Sequence, residues 1–146
     1  MSDFRQLSDT VWASPQITLE DVAEAAARGF ALIVNNRPEG EAEDQTPGDV
    51  IEAAAHEAGL GYLAIPITHS GFSEAQVERM AEALEATGGP VLAYCRSGTR
   101  STLLWALARA KAGAEPSEIA ASAAAAGYDI SPLGPALDFY AASARG

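Results

Sequence analysis

The chain has 146 residues and one cysteine, and its 9 Lys and Arg against 20 Asp and Glu give a formal net charge of −11. That length suits one domain able to close a core, and so acidic a balance argues against nucleic acids and membranes as main partners. A lone cysteine excludes an internal disulfide and any multi-cysteine zinc site, so Cys95 can act only as a thiol.

Hydrophobic residues make up 48% of the chain, nearly half of them alanine, so Ala-rich helices around a modest set of larger apolar side chains are expected. No stretch approaches the roughly 18 to 20 apolar residues that a bilayer span needs. The start, Met1 to Thr10, is polar and acidic without a basic region or apolar signal, and a cytoplasmic protein is the expectation. No linker, repeat or compositional break divides the chain, so residues 1–146 are read as a single domain.

In chain order, Thr10 to Ala13 reads as a short first strand. A helix capped at Thr18 follows, with Leu19, Val22, Ala23 and Ala26 on one face and Gly29 as its stop. Phe30 to Asn35 is a buried strand. The polar run Arg37 to Asp44 is an exposed loop, with Glu39 to Asp44 a solvated face. An Ala-rich helix spans Asp49 to Ala58, a third strand Tyr62 to Ile67, and Thr68 to Phe72 a loop. Ser73 with Gln76 forms a capping box for a helix running to Ala86, and Val91 to Tyr94 is the fourth strand. After Arg100 a long helix turns Leu103, Leu104, Trp105 and Leu107 inward. Two more helices, Pro116 to Ala126 and Pro135 to Ala144, are expected to pad one sheet face. Short apolar strands alternating with helices predict an α/β fold with a parallel sheet covered on both sides, and ligands then belong at the carboxyl ends of the strands.

Cys95-Arg96-Ser97-Gly98-Thr99-Arg100-Ser101 lies at such an end, where a strand gives way to a helix. Backbone amides and the helix dipole converge there on an anion. Gly98 allows a tight turn that points successive N–H groups inward, and Arg100 can reach back with a bidentate fork. Each of these, with Arg96, favours a thiolate at Cys95 and makes it a candidate nucleophile. A buried structural cysteine is the alternative, but packing alone has no use for two arginines, a glycine and three hydroxyls beside it.

The Cys-x-x-Gly-x-Arg-Ser string resembles the active loop of cysteine-dependent phosphatases and rhodanese-type sulfurtransferases. The wider pattern is similar to the phosphatase-like domain of beta-lactamase hydrolase-like proteins, also described as a sulfur transferase family. The matching stretches are Trp12 to Ile17, Asn35 to Glu39 with Glu41 and Gln45, Gly61-Tyr62 with Ile65 to Ile67, Cys95 to Ser101 with Leu104-Trp105, and Gly127 to Asp129. The resemblance implies a dual-specificity-phosphatase-like, three-layer fold with a parallel sheet of about four strands. It also implies Cys95 as nucleophile and Arg100 as anion clamp.

Two features bear on the reaction. Four residues separate Cys95 from Arg100, where the phosphatase pattern has five, and a smaller ring of amides suits the outer sulfur of a persulfide better than a phosphoryl group. The phosphatases resembled carry a general-acid aspartate on the loop after the third strand, whereas Pro66 to Phe72 contains no carboxylate. Sulfur transfer expels sulfite or a thiolate, already stable anions, so the missing acid harms it much less.

Other residues are read with their alternatives. His69 is a substitute acid or a loop-packing histidine, and His56 a helix-face bystander. Arg37 gathers an anionic substrate or pairs with Glu39 or Glu41. Trp105 belongs to the core. Ser97, Gly98 and Thr99 supply loop amides, and Ser101 can offer its hydroxyl to the Cys95 thiolate or to the leaving sulfur. No cluster has metal-ligand spacing, so neither metal nor cofactor is expected. The leading expectation is a sulfurtransferase: Cys95 takes sulfane sulfur from thiosulfate or a persulfide and passes it to an external thiol acceptor. A phosphatase acting on a phosphate ester through phosphocysteine is the alternative, and an inactive anion- or partner-binding module a third. For the sulfur-transfer reading, a persulfide-oxidising enzyme is a candidate partner.

Overall fold

The computed structural model describes residues 2–145. The positions of the strands follow from which of their side chains can be buried. Strand β5 (Val91–Tyr94) is buried at all four positions and lies in the middle of the sheet, between β2 (Val11–Ser14) and β3 (Leu32–Asn35). Alternation along β5 sends Val91 and Ala93 into one core, and Leu92 and Tyr94 into the other. Strand β4 (Gly61–Ala64) pairs with β3, and β2, β5, β3 and β4 all run parallel.

The sheet is mixed and five-stranded, which corrects the expectation of a purely parallel sheet of four. Strand β1 (Arg5–Gln6) adds an antiparallel edge, with Arg5 opposite Ala13 and Gln6 opposite Trp12. Two polar residues carry no periodicity to read. They pair because the open edge of β2 offers unsatisfied backbone groups.

Helices α1 (Leu19–Ala27) and α2 (Gly48–Glu57) pack against each other and cover the core formed by Ile17, Val22, Ile33, Ile51 and Leu92. Thr18 and Asp21 close a capping box on α1. Its inward face is Val22 and Ala25, not the expected Leu19 and Ala23: Leu19 is 51% exposed. Val22 and Ala25 face the core that α1 and α2 cover together, and the larger Leu19, at the first turn, is left at the rim.

On the other side lie α3 (Glu74–Ala86), opened by the Ser73–Gln76 capping box as expected, and α4 (Thr99–Lys111). Leu104, Trp105 and Leu107 of α4 are buried in the core, while Leu103 is only partly covered. Helices α5 (Pro116–Ala125) and α6 (Gly134–Arg145) pack on α4 and on each other, so they form a further layer over α4 instead of padding the sheet directly. A single 3-10 turn, Ser131–Leu133, joins them. Strand β4 stops earlier than the expected Ile67. Ile65 and Ile67 stay buried, with their amides on the carbonyls of Asn35 and Asn36, and carry the chain towards the end of β5. No helix among the described residues is long and apolar enough to cross a membrane.

Candidate active site

Because β5 is central, the chain leaving it is flanked by the ends of both neighbouring strands. The Cys95 amide donates to Ser14 O at the end of β2, the Asn36 amide beyond β3 donates to Tyr94 O, and the Gln16 amide donates to Arg96 O. The Cys95–Arg100 loop is thus gripped from both sides.

Within the loop Gly98 has φ +92°, and a Cβ there would overlap the Tyr128 hydroxyl and press on the Ser14 backbone, so glycine is required twice over. This turn aims the Gly98 N–H at Cys95 Sγ, 3.1 Å away. Cys95 is fully buried, yet its sulfur faces a main-chain donor as well as packing against side chains. Gly98 also opens α4, whose amide dipoles add positive potential at the sulfur. Ser97 and Thr99 are exposed. Their hydroxyls bond one another at 3.0 Å, and the Thr99 amide donates to Ser97 Oγ. Arg96 lies on the exposed lip of the loop.

Arg100 is held firmly. Nη1 donates to Glu41 Oε2 and to Ile67 O, and Nη2 to Glu41 Oε1, each at 2.8 Å. These bonds leave the Nε–H and the second Nη2 hydrogen, an edge able to fork around an oxyanion, and Cys95 is among the groups close enough to act on the guanidinium. The Glu41 pair and the nearby Cys95 raise the Arg100 pKa, so the clamp stays charged.

Glu41 corrects the reading of Glu39 to Asp44 as a solvated face. Its carboxylate turns inward and bridges Arg100 and Arg37, the latter at 2.9 Å. The bonds from Arg100 and then Arg37, opposed only by desolvation, hold that carboxyl at about 2. Glu39 is also engaged, accepting the Gly48 amide at the start of α2. Arg37, 5% exposed, also donates to Gln16 Oε1. Of its two expected roles, the structure places it in the ion pair with Glu41.

The Ser101 hydroxyl points to Asn36, away from the role expected of it beside Cys95. It donates to Asn36 Oδ1 at 2.7 Å, which ties α4 to the end of β3. His69 sits exposed in the loop after β4. Tyr94 and Tyr62 stand behind the loop with phenols pushed up by burial, so neither brings a charge to it. Two residues that the sequence reading did not place beside the cysteine loop join the site: Glu41, expected only as a partner for Arg37, and Tyr128, whose hydroxyl donates to Ser97 O at 3.1 Å. Both lie in stretches singled out for their resemblance, which was the available clue. Among the described residues no group of His, Cys, Asp and Glu could hold a metal ion.

Comparison with known proteins places this geometry in company. The family model for the phosphatase-like domain of beta-lactamase hydrolase-like proteins matches residues 3–112. A beta-lactamase hydrolase-like protein of Xylella fastidiosa is 34% identical over 125 residues, covering 85% of this chain and 29% of the relative. One of Agrobacterium fabrum is 33% identical over 109 residues, covering 74% and 25%. The chain therefore spans less than a third of the length of these relatives. The crystal structure of a candidate phosphatase from Neisseria meningitidis Z2491 superimposes with a TM-score of 0.84 at 33% identity, over 96% of this chain and 99% of that one. Pseudomonas aeruginosa TpbA, crystallised with phosphotyrosine, shares the fold with a TM-score of 0.66 at 18% identity, over 99% and 91% of the two chains.

Proposed function

The chain belongs to the family of phosphatase-like domains of beta-lactamase hydrolase-like proteins, and from that premise we propose that it is a cysteine-dependent phosphatase acting on phosphate monoesters. The observation that carries the reading is the Gly98 N–H on Cys95 Sγ beside a clamped Arg100. The Cys95 thiolate attacks phosphorus and the P–O bond to the leaving group breaks. The phosphoryl group rests on Cys95 while Arg100 and the loop amides hold its oxygens, an arrangement that contributes about 2.7–4 kcal/mol per well-placed donor in comparable sites. Water then attacks phosphorus, breaks the S–P bond and releases inorganic phosphate.

The sulfurtransferase expectation gives way as first reading because the family is described as phosphatase-like and the solved relative at 33% identity as a candidate phosphatase. The leaving group takes its proton from solvent. Glu41 is ionised and the 66–72 loop has no carboxylate, so esters of phenols, whose anions are stable, should be preferred over alkyl esters. The phosphotyrosine bound by TpbA is such an ester on the same fold.

Turnover of p-nitrophenyl phosphate, inhibited by vanadate and abolished in Cys95→Ser, is the expected result. A folded wild-type protein that turns over no aryl phosphate would overturn the reading. One observation favours sulfur transfer as a second reading: the four-residue spacing from Cys95 to Arg100 makes a ring that suits a persulfide. Intact mass after thiosulfate treatment decides it, since sulfur transfer adds one sulfur atom to Cys95 and phosphatase chemistry leaves the mass unchanged.

A further inference from the structure

Helix α5, the 128–131 segment and α6 line an open cavity of about 610 Å³ that the chemistry above does not use. Its walls include Ala120, Ala124, Ile130 and Leu137, together with Tyr128, and Asp129 and Asp138 stand at it as exposed carboxylates. The volume falls within the range of small-molecule pockets, and so apolar a lining selects an apolar guest.

Tyr128 joins this cavity to the Cys95 loop. It lines the cavity, while its hydroxyl donates to Ser97 O and stands against Gly98. The Arg5 guanidinium lies over the ring, 5.2 Å from its centroid, and fixes it in place. Tyr128 is thus shared between the cavity wall and the support of the anion cradle. Cys95 itself is buried, Arg96 and Ser97 form the exposed lip of the cradle, and it is the Ser97 carbonyl of that lip that Tyr128 holds.

Resting on the phosphatase reading, we propose that this cavity is the subsite for the apolar part of the substrate, so that the substrate is an aryl monophosphate extended by a further apolar group. The same molecule then spans both places, its anion on Arg100 and its apolar end between α5 and α6. Charge sets the second half of the specificity. Asp129 and Asp138, on a chain of net charge −11, disfavour a second anionic group at the cavity and favour neutral or cationic extensions.

The test uses the full chain carrying Cys95→Ser and two non-hydrolysable probes, benzylphosphonate and its biphenyl-extended analogue, titrated by calorimetry. Burial of the second ring should tighten binding at least about tenfold. Ala124→Phe and Ala120→Phe, each at a solvent-reachable helix position lining the cavity, fill it and should cut that advantage to under about twofold, with benzylphosphonate affinity unchanged. If benzylphosphonate binds but the second ring adds nothing, or if both filled variants keep the full advantage, the subsite is refuted and the phosphatase reading stands. If neither phosphonate binds, the cradle assignment fails and takes the subsite with it.

Discussion

Glu41→Gln keeps the shape of the side chain and removes its charge from between Arg100 and Arg37. In the native protein the carboxylate accepts bonds of 2.8 Å from both Nη atoms of Arg100 and 2.9 Å from Arg37. A carboxyl held at about 2 instead of 4.5 draws at most about 3 kcal/mol from the folded surroundings, at about 1.4 kcal/mol for each tenfold change in ionisation. The side chain is 17% exposed, and solvent screening on its open side reduces this to about 1–2 kcal/mol. The folded value lies below the unfolded one. The contribution is therefore complete above about pH 4.5 and is lost as pH falls towards about 2.

Urea denaturation of the two proteins at neutral pH and in steps down to about pH 2 measures it. The variant should be less stable by about 1–2 kcal/mol at neutral pH, with the gap closing in acid, because only the native protein loses the pair on protonation. With two guanidinium groups freed of their counter-charge, inorganic phosphate should also protect the variant more than the native protein. A gap that stays constant with pH, or none at neutral pH, would refute the bridge, and equal protection by phosphate would show that Glu41 does not govern the charge at the cradle.

Three further outcomes follow from the same contacts. Gly98→Ala forces a Cβ onto the Tyr128 hydroxyl at φ +92°, and should cost more than about 2 kcal/mol in urea denaturation and abolish aryl phosphate turnover. Ser101→Ala leaves the buried Asn36 Oδ1 without its donor, a loss of about 1–3 kcal/mol by the same method. Alkylation of Cys95 by iodoacetamide should keep its rate, since Ser101 bonds Asn36 and not the sulfur. Tyr128→Phe removes the brace on Ser97 O and should cost about 1 kcal/mol in stability, with a fall in kcat/KM for p-nitrophenyl phosphate. An unchanged kcat/KM would show that the loop holds its shape without the brace.

Short-range chemistry was legible in the chain by itself. The capping boxes at Thr18 and Ser73 close within three residues of their own helix starts, β5 is a run of four apolar residues after a Gly-Gly-Pro stop, and Gly98 aims an amide at a sulfur three positions back. Each is decided by neighbours in sequence, so pattern alone locates them. What the pattern could not supply is which distant groups meet. Glu41 reads as one more acid in a polar run until the fold brings it to Arg100, 59 residues on, and Ser101 reads as a helper of Cys95 until Asn36, 65 residues back, claims its hydroxyl. The partly buried arginine needs a counter-charge and the buried amide oxygen needs a donor, and only the packing of the strand ends around β5 determines which residue satisfies each.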